Sequence, residues 1–130
     1  MAEGISSYTA NAVLNALCRN ASFVIAQAYV QLHTGAPGAA GTTNKATEVT
    51  RKAVTFGSAA SGGAISNTVA VSWTSIAGSQ DATHFTLWDT ATDGTGNFLG
   101  SGTITANAYT AGDTYTVGVG GLALSFTVAS

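Results

Sequence analysis

His33 and His84 are the two histidines of the sequence, so general acid–base chemistry at neutral pH would have to run through one of them or through a carboxylate. A hydrolytic centre needs a Ser or Cys nucleophile, a His base and an orienting carboxylate that converge in space. Serines are abundant here, so a serine near a histidine carries little weight. Neither histidine lies in a Gly-x-Ser-x-Gly elbow or a comparable motif. The expectation is that both sit on the second faces of strands, hydrogen-bonded or solvated, and that the chain is not an enzyme.

Metal and cofactor chemistry is equally thin. Asp81-x-x-His84 is not a recognised ligand spacing. Asp89-Thr90-Ala91-Thr92-Asp93-Gly94 faintly echoes a calcium loop, but a full loop needs more oxygen ligands and a terminal bidentate Glu, where this chain has Gly100. Ordinary turn chemistry accounts for that run. The glycines from Gly57 to Gly63 are followed by no Gly-Lys-Ser or Gly-Lys-Thr and open no helical pattern, so they make no phosphate loop. Trp88 could offer a stacking face to a sugar, although a Trp on a two-sided sheet is more often packed against a helix, a second sheet or a neighbouring subunit. No metal and no cofactor is expected.

Composition sets the frame for these residues. The 130 residues suit one compact domain, expected to run from 1 to 130. Hydrophobic residues make up 45% of the chain and charged residues only 8%, against about 25% charged in an average soluble protein. Thr, Ser, Asn and Gly must therefore keep the surface wet. The cations are Arg19, Lys45, Arg51 and Lys52, and the net charge is −2. Four cations cannot form the basic stripe that releases counterions from nucleic acid. Disorder is also excluded, because disordered chains combine low hydrophobicity with high net charge. Weakly charged surfaces tend to associate, which points to permanent assembly. Residues 1–4 lack the basic and apolar regions of a signal peptide, and Ala21 to Leu32 is too short and too interrupted by Gln27 and Gln31 to span a bilayer. Cytoplasmic synthesis with no membrane contact is expected.

The positioning elements follow from periodicity. Ser7 or Thr9 can cap a helix over residues 8–20, in which Ala10, Val13, Leu14, Leu17 and Cys18 form one apolar stripe and Asn20 is a stop. Cys18 is the single cysteine. Its place on that stripe predicts a buried, inert thiol. Residues 1–7 read as an N-terminal arm or a frayed end. Beyond the helix, two-residue alternation dominates. Strands are predicted at Ala28 to His33, Glu48 to Phe56, Ile65 to Trp73, Thr83 to Asp89 and Phe98 to Thr105. In the last of these, Gly100 and Gly102 mark bulges or close backbone approach. Thr90 to Asn97 reads as a turn. Gly120-Gly121 between Tyr115–Val119 and Leu122–Val128 reads as a tight hairpin. About seven to eight short antiparallel strands after one helix suggest an all-β sandwich or a jelly-roll-like barrel over 28–130.

Several runs resemble a family of small structural proteins of tailed phages. They are Leu32-His33-Thr34-Gly35-Ala36-Pro37-Gly38, Arg51-Lys52-Ala53-Val54-Thr55-Phe56-Gly57 and Ala82-Thr83-His84-Phe85-Thr86-Leu87-Trp88-Asp89, followed by Ala111-Gly112-Asp113-Thr114-Tyr115-Thr116-Val117. Members of that family serve as head decoration (cement), tail-fibre-like or minor tail proteins. The resemblance covers nearly the whole chain and carries over no catalytic residue. It implies a virion protein, made in the host cytoplasm, that contacts the major capsid protein or tail proteins. The first expectation is a cement protein that bridges capsid subunits. A minor tail or tail-fibre-associated protein comes second, and a carbohydrate-binding module third. A homo-oligomer, trimer or dimer, is expected. The loop from Thr34 to Ala46 is the leading candidate for partner contact, being near the upper length for a structureless connection. With it come Pro37, Lys45, Arg51, Lys52 and Trp88.

Overall fold

The computed structural model describes residues 3–59 and 62–130. Met1 and Ala2 of the expected arm, and Ala60 and Ser61 of the small-residue loop, lie outside the described residues. The described chain forms one helix, α1 (Ser7–Arg19), and eight strands. These are β1 (Ala28–His33), β2 (Lys52–Val54), β3 (Ala64–Ser66), β4 (Val71–Trp73), β5 (Gln80–Trp88), β6 (Phe98–Tyr109), β7 (Tyr115–Val117) and β8 (Ala123–Ser125). An antiparallel sheet of order β2-β1-β5-β6 faces two small antiparallel ladders, β3-β8 and β4-β7. The all-β expectation with a short N-terminal helix holds. The arrangement is sandwich-like, and the barrel alternative is set aside because the sheets stay separate. Among the described residues no helix is long and apolar enough to cross a membrane.

Alternation along the strands builds the core. Val30 and Leu32 of β1 stand opposite Leu87 and Phe85 of β5, and all four are buried. From the other layer Val71, Trp73, Tyr115 and Val117 of the β4-β7 ladder join the same cluster. Gly100 and Gly102 of β6 do mark close approach, as expected. A Cβ on Gly102 would lie 2.6 Å from the Phe85 ring, and one on Gly100 would lie 3.0 Å from the Gly4 carbonyl.

Several local expectations are corrected. The helix is capped by Ser6, whose Oγ accepts the Thr9 N–H at 3.1 Å, and not by Ser7 or Thr9. Asn20 ends it in the left-handed region, at φ 55°, as its stop role requires. Residues 4–6 are no loose arm: Ile5 bridges Gly100, Ser6 N donates to Leu99 O and Ser101 N donates to Gly4 O. α1 is fixed mainly at that end and its apolar stripe is only partly covered, with Ala10 and Val13 half-buried and Leu14 and Leu17 exposed. It has no buried residue, and Cys18 is exposed rather than buried.

The predicted strand from Glu48 to Phe56 shrinks to β2, because the Glu48 carboxylate accepts from Thr50 N and Ala77 N and holds a turn there. The predicted strand from Ile65 to Trp73 is two strands in two ladders, β3 and β4. Asn67 makes the corner. Its Nδ2 donates to Val69 O and Gly118 O, and its Oδ1 accepts the Leu122 N–H. Its backbone N donates to Leu122 O and its carbonyl accepts from Gly120 N. That insertion also undoes the expected Gly120-Gly121 hairpin. Gly120 turns the chain at φ 80°, but β7 pairs with β4 and β8 pairs with β3.

Candidate partner-contact site

Of the residues singled out for partner contact, Lys45, Arg51 and Trp88 come together, with Arg51 and Trp88 turned inward. The face of β1 and β5 opposite the apolar core is itself closed: Gln31, His33 and Thr86 are completely buried. Over them lie the loop from Thr34 to Ala46 and the turn joining β5 to β6. Arg51 enters from the residue before β2 and is 95% buried, its side chain fully so (5% and 0% exposed). Its Nε donates to Gln31 Oε1 at 3.0 Å, and its Nη1 donates to the carbonyls of Thr90 and Thr95 at 3.1 and 2.9 Å. The guanidinium carbon stands 4.2 Å from the Trp88 ring centroid, a cation–π stack. Nη2 makes no hydrogen bond and lies 3.9 Å from Asp93 Oδ1.

Asp93 gathers the remaining charge. Its Oδ1 accepts from Lys45 Nζ at 2.8 Å and from Gln31 Nε2 at 2.9 Å. Burial opposes its ionisation, but those hydrogen bonds and the Lys45 and Arg51 charges prevail and hold its carboxyl below the usual range. Asp89 behaves alike: burial is outweighed by donation from Asn97 N and Nδ2. Both carboxylates of the expected turn are therefore committed to turn and loop.

His33 fixes the loop from beneath. Its Nδ1 donates to Thr43 O at 2.8 Å, since a carbonyl can only accept. Its Nε2 must then accept from the Thr86 hydroxyl at 3.0 Å, and Thr86 Oγ1 in turn accepts from Trp88 Nε1 at 2.8 Å. Burial above all, with the nearby Lys45 and His84 charges, depresses its pKa below 6.5 and keeps the ring neutral. His84 is half-buried on β5. Its Nδ1 pairs with Thr83 Oγ1 and its Nε2 with Glu3 Oε1 at 3.1 Å, which ties residue 3 to the sheet. Both ring nitrogens of each histidine are thus taken up by partners within the chain.

Pro37, Arg51 and Trp88 are thus interior, Lys45 is partly exposed and ion-paired, and Lys52 is partly exposed on β2. Trp88, with Arg51 over its ring and only 6% exposed, has no open stacking face for a sugar. A shallow pocket of about 320 Å³ remains between loop and turn, with Lys45, Arg51, Trp88 and Phe98 in its wall. Sequence reasoning missed Gln31, Asp93 and Glu3. Gln31 is 20 residues from Arg51 and 62 from Asp93, separations that leave no local signal.

Exposed apolar surface lies on and just after α1. Tyr8, Leu14 and Leu17 of α1 and Val24 after it are exposed large hydrophobics. Next to them a groove of about 520 Å³ runs between the segment after α1 and the sandwich, walled by Phe23, Ile25, Val54, Phe56, Leu99 and Leu124 among others. It opens onto core side chains, because Val54 and Leu99 belong to the buried cluster.

Residues 4–125 match the family described as podophage GP4 fiber I protein gp80. The match runs from the edge segment before α1 through β8. No curated protein matches the chain.

Proposed function

Since the chain belongs to the podophage GP4 fiber I protein gp80 family, a family of phage structural proteins, we propose that it is a fibre-associated subunit of the tail of a tailed-phage particle. The observation that carries this reading is the extent of the match, which takes in α1 and all eight strands. Its role is mechanical. The subunit holds neighbouring virion proteins through apolar, weakly charged surface and has no catalytic step. Such surface suits contact between proteins, because the centres of interfaces are depleted in Asp, Glu and Lys.

Its partners on this reading are tail proteins, in place of the major capsid protein that the cement reading requires. No specific observation favours the cement role. Site and copy number separate the two. Gold-labelled antibody on purified particles is expected to mark the tail, and quantitative mass spectrometry is expected to give far fewer copies than the major capsid protein. Label spread over the head, at a copy number comparable to the shell subunit, would overturn the proposal in favour of capsid decoration.

A further inference from the structure

From Ser7 to Tyr29 no residue is buried, although Leu14, Leu17, Phe23 and Ile25 fall in that run. Among the described residues, no hydrogen bond joins residues 7–26 to any residue beyond 3–26. The contacts of the run are largely its own. Tyr8 and Phe23 meet edge to face, with ring centroids 6.1 Å apart, which folds the segment after α1 back on the helix. Toward the sandwich, α1 packs chiefly against β6.

The two ends of the run are held very differently. At the far end Gln27 Nε2 donates to Ala28 O and Val54 O, both at 2.9 Å, and the chain enters β1, which is paired on both sides by β2 and β5. At the near end Ser6 N donates to Leu99 O at 3.0 Å, Ser101 N to Gly4 O at 2.8 Å and Gly4 N to Ser101 Oγ at 3.3 Å. Glu3 Oε1 lies 3.1 Å from His84 Nε2. Of these four residues only Ser6 is buried, and β6 is the last strand of its sheet. Few buried contacts and half-exposed hydrogen bonds mark the parts of a protein that open well below global unfolding.

We propose that residues 3–26 form a strap that undocks from the sandwich as one unit, pivoting at Gln27, with Glu3 to Ser6 as its latch on β6. Opening frees the Leu99 carbonyl and the Ser101 N–H on the outer edge of β6, a strand with no charged residue and no Pro. It also uncovers Leu99 and Val54 of the core, which line the groove beneath the strap. A bare edge of that kind takes up an added strand, so the strap decides when the large sheet can be extended at this point. The proposal goes beyond the virion reading and stands without it.

The test is hydrogen exchange of the full chain, followed residue by residue by NMR in a urea series below the unfolding midpoint. The amides of α1, Ser6 and Ser101 are expected to share one opening, at least about a hundredfold more frequent than that of the buried residues of β1 and β5. Gly4→Pro removes the N–H that bonds Ser101 Oγ and cannot take the Gly4 φ of 150°. It is expected to cost Ser101 at least about tenfold in protection and to lower the helical circular dichroism, because a 13-residue helix is marginal when undocked. The urea midpoint read from Trp73 and Trp88, which lie in the sandwich, is expected to stay close to the parent's. Exchange of Ser6 and Ser101 only with global unfolding would overturn the proposal, as would helix amides that open without them. So would a Gly4→Pro chain in which Ser101 stays protected or the sandwich no longer folds.

Discussion

At Arg51 a charge expected on the surface holds the interior together. Lysine at this position would keep the charge but not the planar fork, so the bonds to Gln31, Thr90 and Thr95 could not all be made. Arg51→Lys is expected to cost about 2–3 kcal/mol, read as a lower urea midpoint by tryptophan fluorescence. His33 sets an acid limit. Its folded pKa lies below the ordinary 6.5, so just under that pH the unfolded chain takes up a proton that the folded chain refuses. Stability is therefore full above about pH 6.5 and falls as the pH drops toward the folded pKa. Asp89, Asp93 and Glu48, all held below their usual values, add a second decline at lower pH. Urea midpoints across that range test this, and His33→Gln is expected to flatten the first decline only. Local sequence shows that Arg51 and His33 carry charge or protons. Their burial is decided by partners far along the chain, Thr86 for His33 and Thr90 and Thr95 for Arg51, which is why it was not legible.

At the scale of elements, alternation located β1, β5 and β6 well, since long strands with one apolar face announce themselves. The short strands were less legible. The run from Ile65 to Trp73 has a clean two-residue period, and nothing local says that it breaks into β3 and β4. The break belongs to Asn67, which is 1% exposed and whose partners Gly118 and Leu122 lie more than fifty residues, 51 and 55, further on. Asn67→Ala would leave the Leu122 N–H and the carbonyls of Val69 and Gly118 without that side chain. The expected cost is about 2–4 kcal/mol by chemical denaturation, the penalty for stranding several buried polar groups. Asn67→Asp keeps the acceptor but loses both donors, and is expected to be no milder.

For the whole molecule, composition foretold a sparsely charged surface, and large apolar side chains such as Leu17 and Val24 do stand exposed on it. With a net charge of −2 and a pI near 5.4, there is little repulsion between copies in mild acid. Turbidity is expected to peak near that pH and to diminish on either side, where net charge grows. What composition could not show is the closure of the two small ladders. β3 waits for β8, with Ala64 opposite Ser125, and β4 waits for β7, with Val71 opposite Val117. Pairings across such separations make for slow folding, in the millisecond-to-second range typical of all-β domains. Stopped-flow refolding should show it. On the ribosome the consequence is sharper. The Ala64–Ser66 segment stays without its ladder until residue 125 has emerged, so newly made chains pass through a stage with an open strand edge. Host chaperones, or rapid incorporation into the particle, would be needed to keep nascent copies from sticking to one another.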